Sequence, residues 1–267
     1  MAHDNRSAHN CQPDHWARLA AWYATPLGQA LQASEKACLD GVLAQLFGYH
    51  LLQVGRPCTV DLLSASRVSH CMIMDLPPAI PDGRSGELVG LPHALPFAAA
   101  SLDVVVLPHI LEFSPWPHEV LREVERVLIP EGSVVLLGFN PWSSWVSKRL
   151  LLGWRKRVPW CGRFRTQARI RDWLSLLGFD IDPASSCFYR PPVAHPGILS
   201  RLGWMDGLGR RLWRPFGASY VMVARKRVAT LTPVRPRWRP RRKLVAPGLV
   251  EPYQQSVRTK RKERGFE

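Results

Sequence analysis

The chain has 267 residues, 46% hydrophobic and 21% charged, and its 36 Lys and Arg against 21 Asp and Glu give a formal net charge of +15. Length and composition describe a soluble globular protein, one large domain or two small ones, with a core of its own. No apolar run approaches the roughly 18 residues of a membrane-spanning helix, the polar opening MAHDNRSAHNCQPDHW lacks the regions of a secretory signal, and six scattered cysteines without a C-x-x-C pair argue against a zinc site or a closely spaced disulfide scaffold. A reducing cytoplasm is the expected setting.

Residues 1–24 read as a polar N-terminal segment. From Thr25 to Phe47, Leu27, Leu31, Cys38, Val42, Leu43 and Leu46 recur at helical intervals after a Thr-Pro start suited to a cap and first turn. Short apolar runs follow at His50 to Gly55, His70 to Asp75, Gly86 to Gly90, Leu102 to Leu107 and Ser133 to Phe139, each predicted as a buried strand. Between the last two, WPHEVLREVERVLIPEG puts Val120, Leu121, Val124, Val127 and Leu128 on one face with charges opposite, predicting a helix that stops near Pro130 and Gly132. A second such helix spans Thr166 to Phe179 and a last strand Ala218 to Arg227. Strands alternating with helices predict an α/β domain over residues 25–230 with a mostly parallel sheet. Within it, residues 142–217 form a variable cap or substrate region.

Charge is unevenly spread. Residues 1–147 carry 8 basic against 14 acidic side chains, whereas residues 148–267 carry 28 against 7, together with tryptophans from Trp154 to Trp238. Residues 231–267 include RPRWRPRRK (Arg235 to Lys243), whose prolines forbid a helix, and read as a disordered basic tail. The basic half suits an anionic partner: RNA, DNA or an acidic membrane surface. In WSSWVSKRLLLGWRKRVPW (Trp142 to Trp160), Trp142, Trp145 and Trp154 fall near one helical stripe. That stripe fits either a cap helix packed on the sheet or a piece lying in a membrane interface beside a lipid or quinone-type acceptor.

The segments HLLQVG, HCMIMD, LPF (Leu95 to Phe97), SLDVVVLPHILEF (Ser101 to Phe113), LREVERVLIPEGSVVLLGFNP (Leu121 to Pro141) and RDWLSLLGFDI (Arg171 to Ile181) together resemble the class I S-adenosylmethionine-dependent methyltransferases. The match is to the type 11 domain group and, within it, to the YafS-like bacterial proteins. It covers about residues 25–230, and the stretch from Leu95 to Pro141 is its most specific part. The resemblance implies a Rossmann-like, doubly wound sheet of seven strands, one antiparallel, with helices on both faces and S-adenosylmethionine lying across the carboxyl ends of the first strands. It implies methyl transfer to an unidentified acceptor; the alternative is a cofactor-deficient relative that binds nucleic acid. Where the family carries G-x-G-x-G, this chain reads Gly55-Arg56-Pro57-Cys58-Thr59, and Leu91 and His93 stand where acidic residues are frequent.

Open α/β sheets bind ligands outside the carboxyl ends of their strands. Gly55 and Asp75, 20 residues apart, are therefore the expected backbone approach and hydroxyl acceptor, with Leu91, His93 and Leu107 as further cofactor contacts. Asp75 also fits a solvated loop before Pro77-Pro78. His109, after the fourth strand, either takes a proton from the acceptor or lines the pocket and caps the next element. Glu112 reads as solvent-facing or as a partner of the helix dipole. Asn140 reads equally as a substrate contact or a turn former.

Overall fold

The computed structural model describes residues 15–58, 60–77, 88–143, 145, 162–193 and 195–227. Helix α1 (His15–Tyr23) occupies part of the segment read from sequence as a polar lead-in, and buries Leu19 and Tyr23. Helix α2 (Pro26–Leu43) begins where the Thr-Pro signal places it: Thr25 Oγ1 accepts the Gly28 N–H at 3.2 Å and Pro26 takes the first turn. Its stripe of Leu27, Leu31, Leu39 and Leu43 is buried.

The strands are β1 (His50–Val54), β2 (His70–Asp75), β3 (Leu88–Val89), β4 (Leu102–Pro108) and β5 (Leu128–Phe139), then β6 (Phe179–Ile181), β7 (Ser185–Cys187) and β8 (Ser219–Lys226). Between β4 and β5 lie α3 (Ile110–Phe113) and α4 (Pro117–Val127); α5 (Gln167–Leu176) leads into β6, and α6 (Pro196–Arg201) and α7 (Trp204–Leu212) precede β8. The spatial order is β3-β2-β1-β4-β5-β8-β6. The first five strands pair in parallel and β8 runs antiparallel between β5 and β6. This is the expected seven-strand arrangement, with β7 added beside β8. Asn140, which the sequence left between substrate contact and turn, forms the turn: its Oδ1 accepts the Trp142 N–H at 3.1 Å, and its Nδ2 also donates to the Pro215 and Gly217 carbonyls at 2.5 and 2.9 Å.

Side-chain alternation along the strands divides the core. Leu51, Val104, Val106, Val135 and Leu137 face α1 and α2, while Leu52, Val105, Leu107, Val134 and Leu136 face α4 and α5. One crossover departs from the doubly wound pattern. Between β1 and β2 no described residue is helical; Cys58, Leu62, Leu63 and Val68 instead fill the face beneath α1 and α2. The expected helix is replaced because α2, arriving from upstream, already covers β1 and β4. Cys38 of α2 and Cys187 of β7 form a disulfide across 149 residues, beyond the reach of a spacing argument. No described helix is long and apolar enough to cross a membrane.

Candidate functional site

Gly55 leaves β1 with φ +78°, and its N–H donates to the Met74 carbonyl at 2.7 Å. A Cβ there would meet Ile110 Cδ1 at 2.9 Å, so both conformation and space require glycine. Gln53, two residues earlier, is buried in an otherwise apolar strand and donates through Nε2 to the Gly55 carbonyl at 2.9 Å. It fixes the turn from beneath. The sequence signal was available, since a lone amide in a fully buried strand needs a hydrogen-bond partner.

Asp75 closes β2 beside this turn, and Arg56 Nε lies 3.5 Å from its Oδ1. Over the carboxyl ends of β2, β3 and β4 opens a cavity of about 180 Å³ walled by Leu76, Leu91, His93, Ile110, Phe113 and Trp116 among others. Leu91 and His93 are therefore brought to one wall, whereas Gly55 and Asp75 do not line the cavity and adjoin it through Ile110 and Leu76. Leu107 is not. It points into the α4–α5 core and is no part of the cavity lining. A larger groove of about 690 Å³, between α2 and the segment Asp182 to Ser186, lies at the other end of the sheet.

The loop carrying His93 is held by α4. Glu123 accepts the Leu95 N–H at 3.1 Å, and Arg126, itself bonded to Glu123 at 2.8 Å, donates to the Leu95 and Phe97 carbonyls at 3.1 and 3.0 Å. The hydrogen bond from Arg126 holds the Glu123 carboxyl below its ordinary range despite some burial. Arg126→Ala is expected to accelerate amide exchange at Leu95 by at least about tenfold without unfolding the sheet, read by hydrogen–deuterium exchange. An unchanged rate would remove α4 as the support of this wall.

His109 is fully buried and takes φ +57° at the start of α3, an uncommon conformation for a residue other than glycine. Its ring stacks on Phe139, and Nε2 lies 2.9 Å from Tyr23 Oη and 3.4 Å from Glu35 Oε1. Tyr23 gives its single proton to Glu35 Oε2 at 2.9 Å, so its oxygen accepts from His109 Nε2–H. Nδ1 lies 3.7 Å from Glu112 Oε1, and that oxygen also accepts the Phe139 N–H at 2.7 Å. Burial alone would lower the imidazole pKa, but the Glu35 and Glu112 carboxylates outweigh it and raise it from 6.5 to about 9. His109 is thus an imidazolium at neutral pH, locked between carboxylates. It is neither a free base nor a cavity wall.

Glu112 is correspondingly buried rather than solvent-facing: it spans α3 and β5. Tyr23 and Glu35 went unnoticed in the sequence, although Glu35 sits on the apolar stripe of α2, four residues from both Leu31 and Leu39. The Cys58 thiol, pushed up to about 11 by burial and by Glu35, is a packing residue and not a nucleophile. Trp145 is buried and its Nε1–H bonds the Arg190 carbonyl at 3.0 Å, as a cap packed on the sheet requires, while Trp142 is exposed. The rest of the Trp142 to Trp160 stripe, and the basic tail, lie outside the described residues.

The strand order, the antiparallel β8 and a cavity at the carboxyl ends beside a positive-φ glycine define a protein of the class I methyltransferase type. Residues 62–136 match the family described as "Methyltransferase domain". The chain belongs to the YafS family within it: it is 33% identical over 220 residues to the uncharacterized protein YafS of Escherichia coli strain K12, covering 82% of this chain and 83% of that one. An uncharacterized protein of Mycobacterium tuberculosis strain H37Rv is 27% identical over 201 residues, 69% of this chain and 68% of its own. Among solved structures, an S-adenosylmethionine-dependent methyltransferase from Thermotoga maritima is similar in fold, with TM-score 0.55 and 16% identity over 78% of this chain and 93% of that one. The methyltransferase chain in a complex with the Haloferax volcanii Trm112 activator gives 0.53 and 15% over 80% and 98%.

Proposed function

We propose that the protein transfers a methyl group from S-adenosylmethionine to an acceptor bound above the carboxyl ends of β1 and β4. The observation that carries this reading is that Leu91 and His93 line one cavity, while Gly55 packs against its Ile110 and Leu76 walls and Asp75 directly precedes Leu76. These residues fit an adenosyl group. A site for a whole drug-sized ligand needs roughly 300–1,000 Å³, so a cavity of about 180 Å³ suits one flat ring system, with the remainder of the ligand outside it. Its walls Leu76, Leu91 and Ile110 are apolar, as a nucleobase requires, and Asp75 supplies an acceptor for ribose hydroxyls. Where a side chain would obstruct the approach, Gly55 leaves its backbone open.

When bound, S-adenosylmethionine supplies an electrophilic methyl group on its sulfonium. The chain's own part is positioning, which alone lowers a transfer barrier by several kcal/mol. His109, charged and enclosed, holds the start of α3 and so the Ile110 and Phe113 walls, and takes no proton from the acceptor. We assign the basic half to an anionic acceptor or partner; the Cys38–Cys187 disulfide weighs against the reducing cytoplasm expected from the cysteine spacing. The charge asymmetry between residues 1–147 and 148–267 supports that assignment and the second reading, a cofactor-deficient nucleic-acid binder. Isothermal titration with S-adenosylmethionine separates the two: the first predicts saturable binding with 1:1 stoichiometry, and no heat at millimolar ligand with a folded protein overturns it.

A further inference from the structure

Given the reading of Asp75 as the ribose acceptor, on which this inference rests, we propose that Arg56 masks the site. Its guanidinium group occupies the carboxylate that an adenosyl ligand needs, so binding requires Arg56 to swing away. Arg56 directly follows Gly55, and Pro57 behind it biases the Arg56 backbone toward extended conformations while leaving its side-chain torsions free. The side chains of Arg56 and Asp75 are 25% and 14% exposed, so the pair is reached by water without being fully solvated. The 3.5 Å contact is Coulombic only: Arg56 Nε is buried and makes no hydrogen bond.

That combination is metastable by construction. The charge of Arg56 satisfies Asp75 well enough to compete with a neutral diol, yet the buried Nε donor gains nothing in place and regains hydration when the side chain leaves. A ribose with both hydroxyls offers Asp75 two charge-assisted hydrogen bonds and can displace the arginine; a ligand without them cannot. Arg56, standing where the family has the residue between the first two glycines, thereby opposes a ligand that uses the Asp75 carboxylate and leaves one without the diol unaffected.

The test uses the full chain and two uncharged probes, adenosine and 2′,3′-dideoxyadenosine, titrated calorimetrically against wild type, Arg56→Ala and Arg56→Gln. Circular dichroism confirms the fold, and Arg56→Gln keeps the inner aliphatic stem without the charge should alanine unfold the turn. Masking predicts that adenosine binds both variants about fivefold more tightly, the equivalent of one partly exposed ion pair, while dideoxyadenosine affinity is unchanged. It further predicts that wild-type affinity for adenosine rises with added salt and that this dependence vanishes in the variants. Equal or weaker adenosine binding by the variants overturns the proposal. If S-adenosylmethionine still binds wild type in that case, the cofactor reading stands and only the masking fails; if no adenosyl compound binds any of the three proteins, both fall.

Discussion

Replacing His109 by alanine is expected to cost about 3–5 kcal/mol of folding stability at pH 7, the scale for breaking a buried ion pair by removing one partner. The substitution leaves Glu35 and Glu112 buried without their shared cation, in a region where Glu35 Oε1 and Glu112 Oε2 already lack hydrogen bonds. It also removes the ring stacked on Phe139 at 4.1 Å. Urea unfolding monitored by tryptophan fluorescence reads the loss. Adding Glu35→Gln to His109→Ala should restore part of it, since one uncompensated carboxylate disappears. A loss below about 1 kcal/mol would mean that the cluster is not charged as described.

The same cluster makes stability depend on alkaline pH. The imidazole pKa is about 9 in the folded chain against an ordinary 6.5. Its contribution is therefore complete below pH 6.5 and is lost progressively as pH rises through about 9. In His109→Ala that alkaline slope should flatten.

Asp75→Ala is expected to weaken S-adenosylmethionine binding about 100-fold, with little effect on folding. Hydrogen bonds to a charged acceptor contribute about 1.5–3 kcal/mol each, and the loss of two, lessened by release of the competing Arg56, leaves roughly two decades of affinity. Asp75→Asn, which keeps one oxygen acceptor, should fall between. Calorimetric titration of the three proteins measures this. Equal affinities would move the ribose away from β2.

Much of the platform could be read from the residues. Continuous apolar runs marked β1, β2, β4 and β5, Thr25 and Thr166 marked helix starts by their caps, and Gly178 with φ +81° ended the second crossover helix. That Gly55 and Asp75 fall at adjacent strand ends was legible because β1 and β2 are parallel neighbours in register. Other features depended on long-range packing. The four-group cluster draws Tyr23 and Glu35 from the N-terminal helices and His109 and Glu112 from the end of β4, a meeting that no local spacing announces. The missing helix between β1 and β2 was hidden for the same reason: α2 already occupies its face. Leu107 was misplaced because strand alternation turns it toward α4, whereas its neighbours at the strand end, His109 and Ile110, turn the other way or line the cavity.

The adenosyl group of a bound cofactor is expected between the Leu91–His93 wall and Ile110, with its ribose on Asp75. A crystal structure of the full chain grown with S-adenosylhomocysteine tests it most directly. Density is expected for the adenine in that cavity, with both ribose hydroxyls within hydrogen-bond distance of the Asp75 carboxylate and Arg56 turned away from it. Density for the nucleoside elsewhere, or an Arg56–Asp75 contact unchanged with the ligand bound, would contradict it.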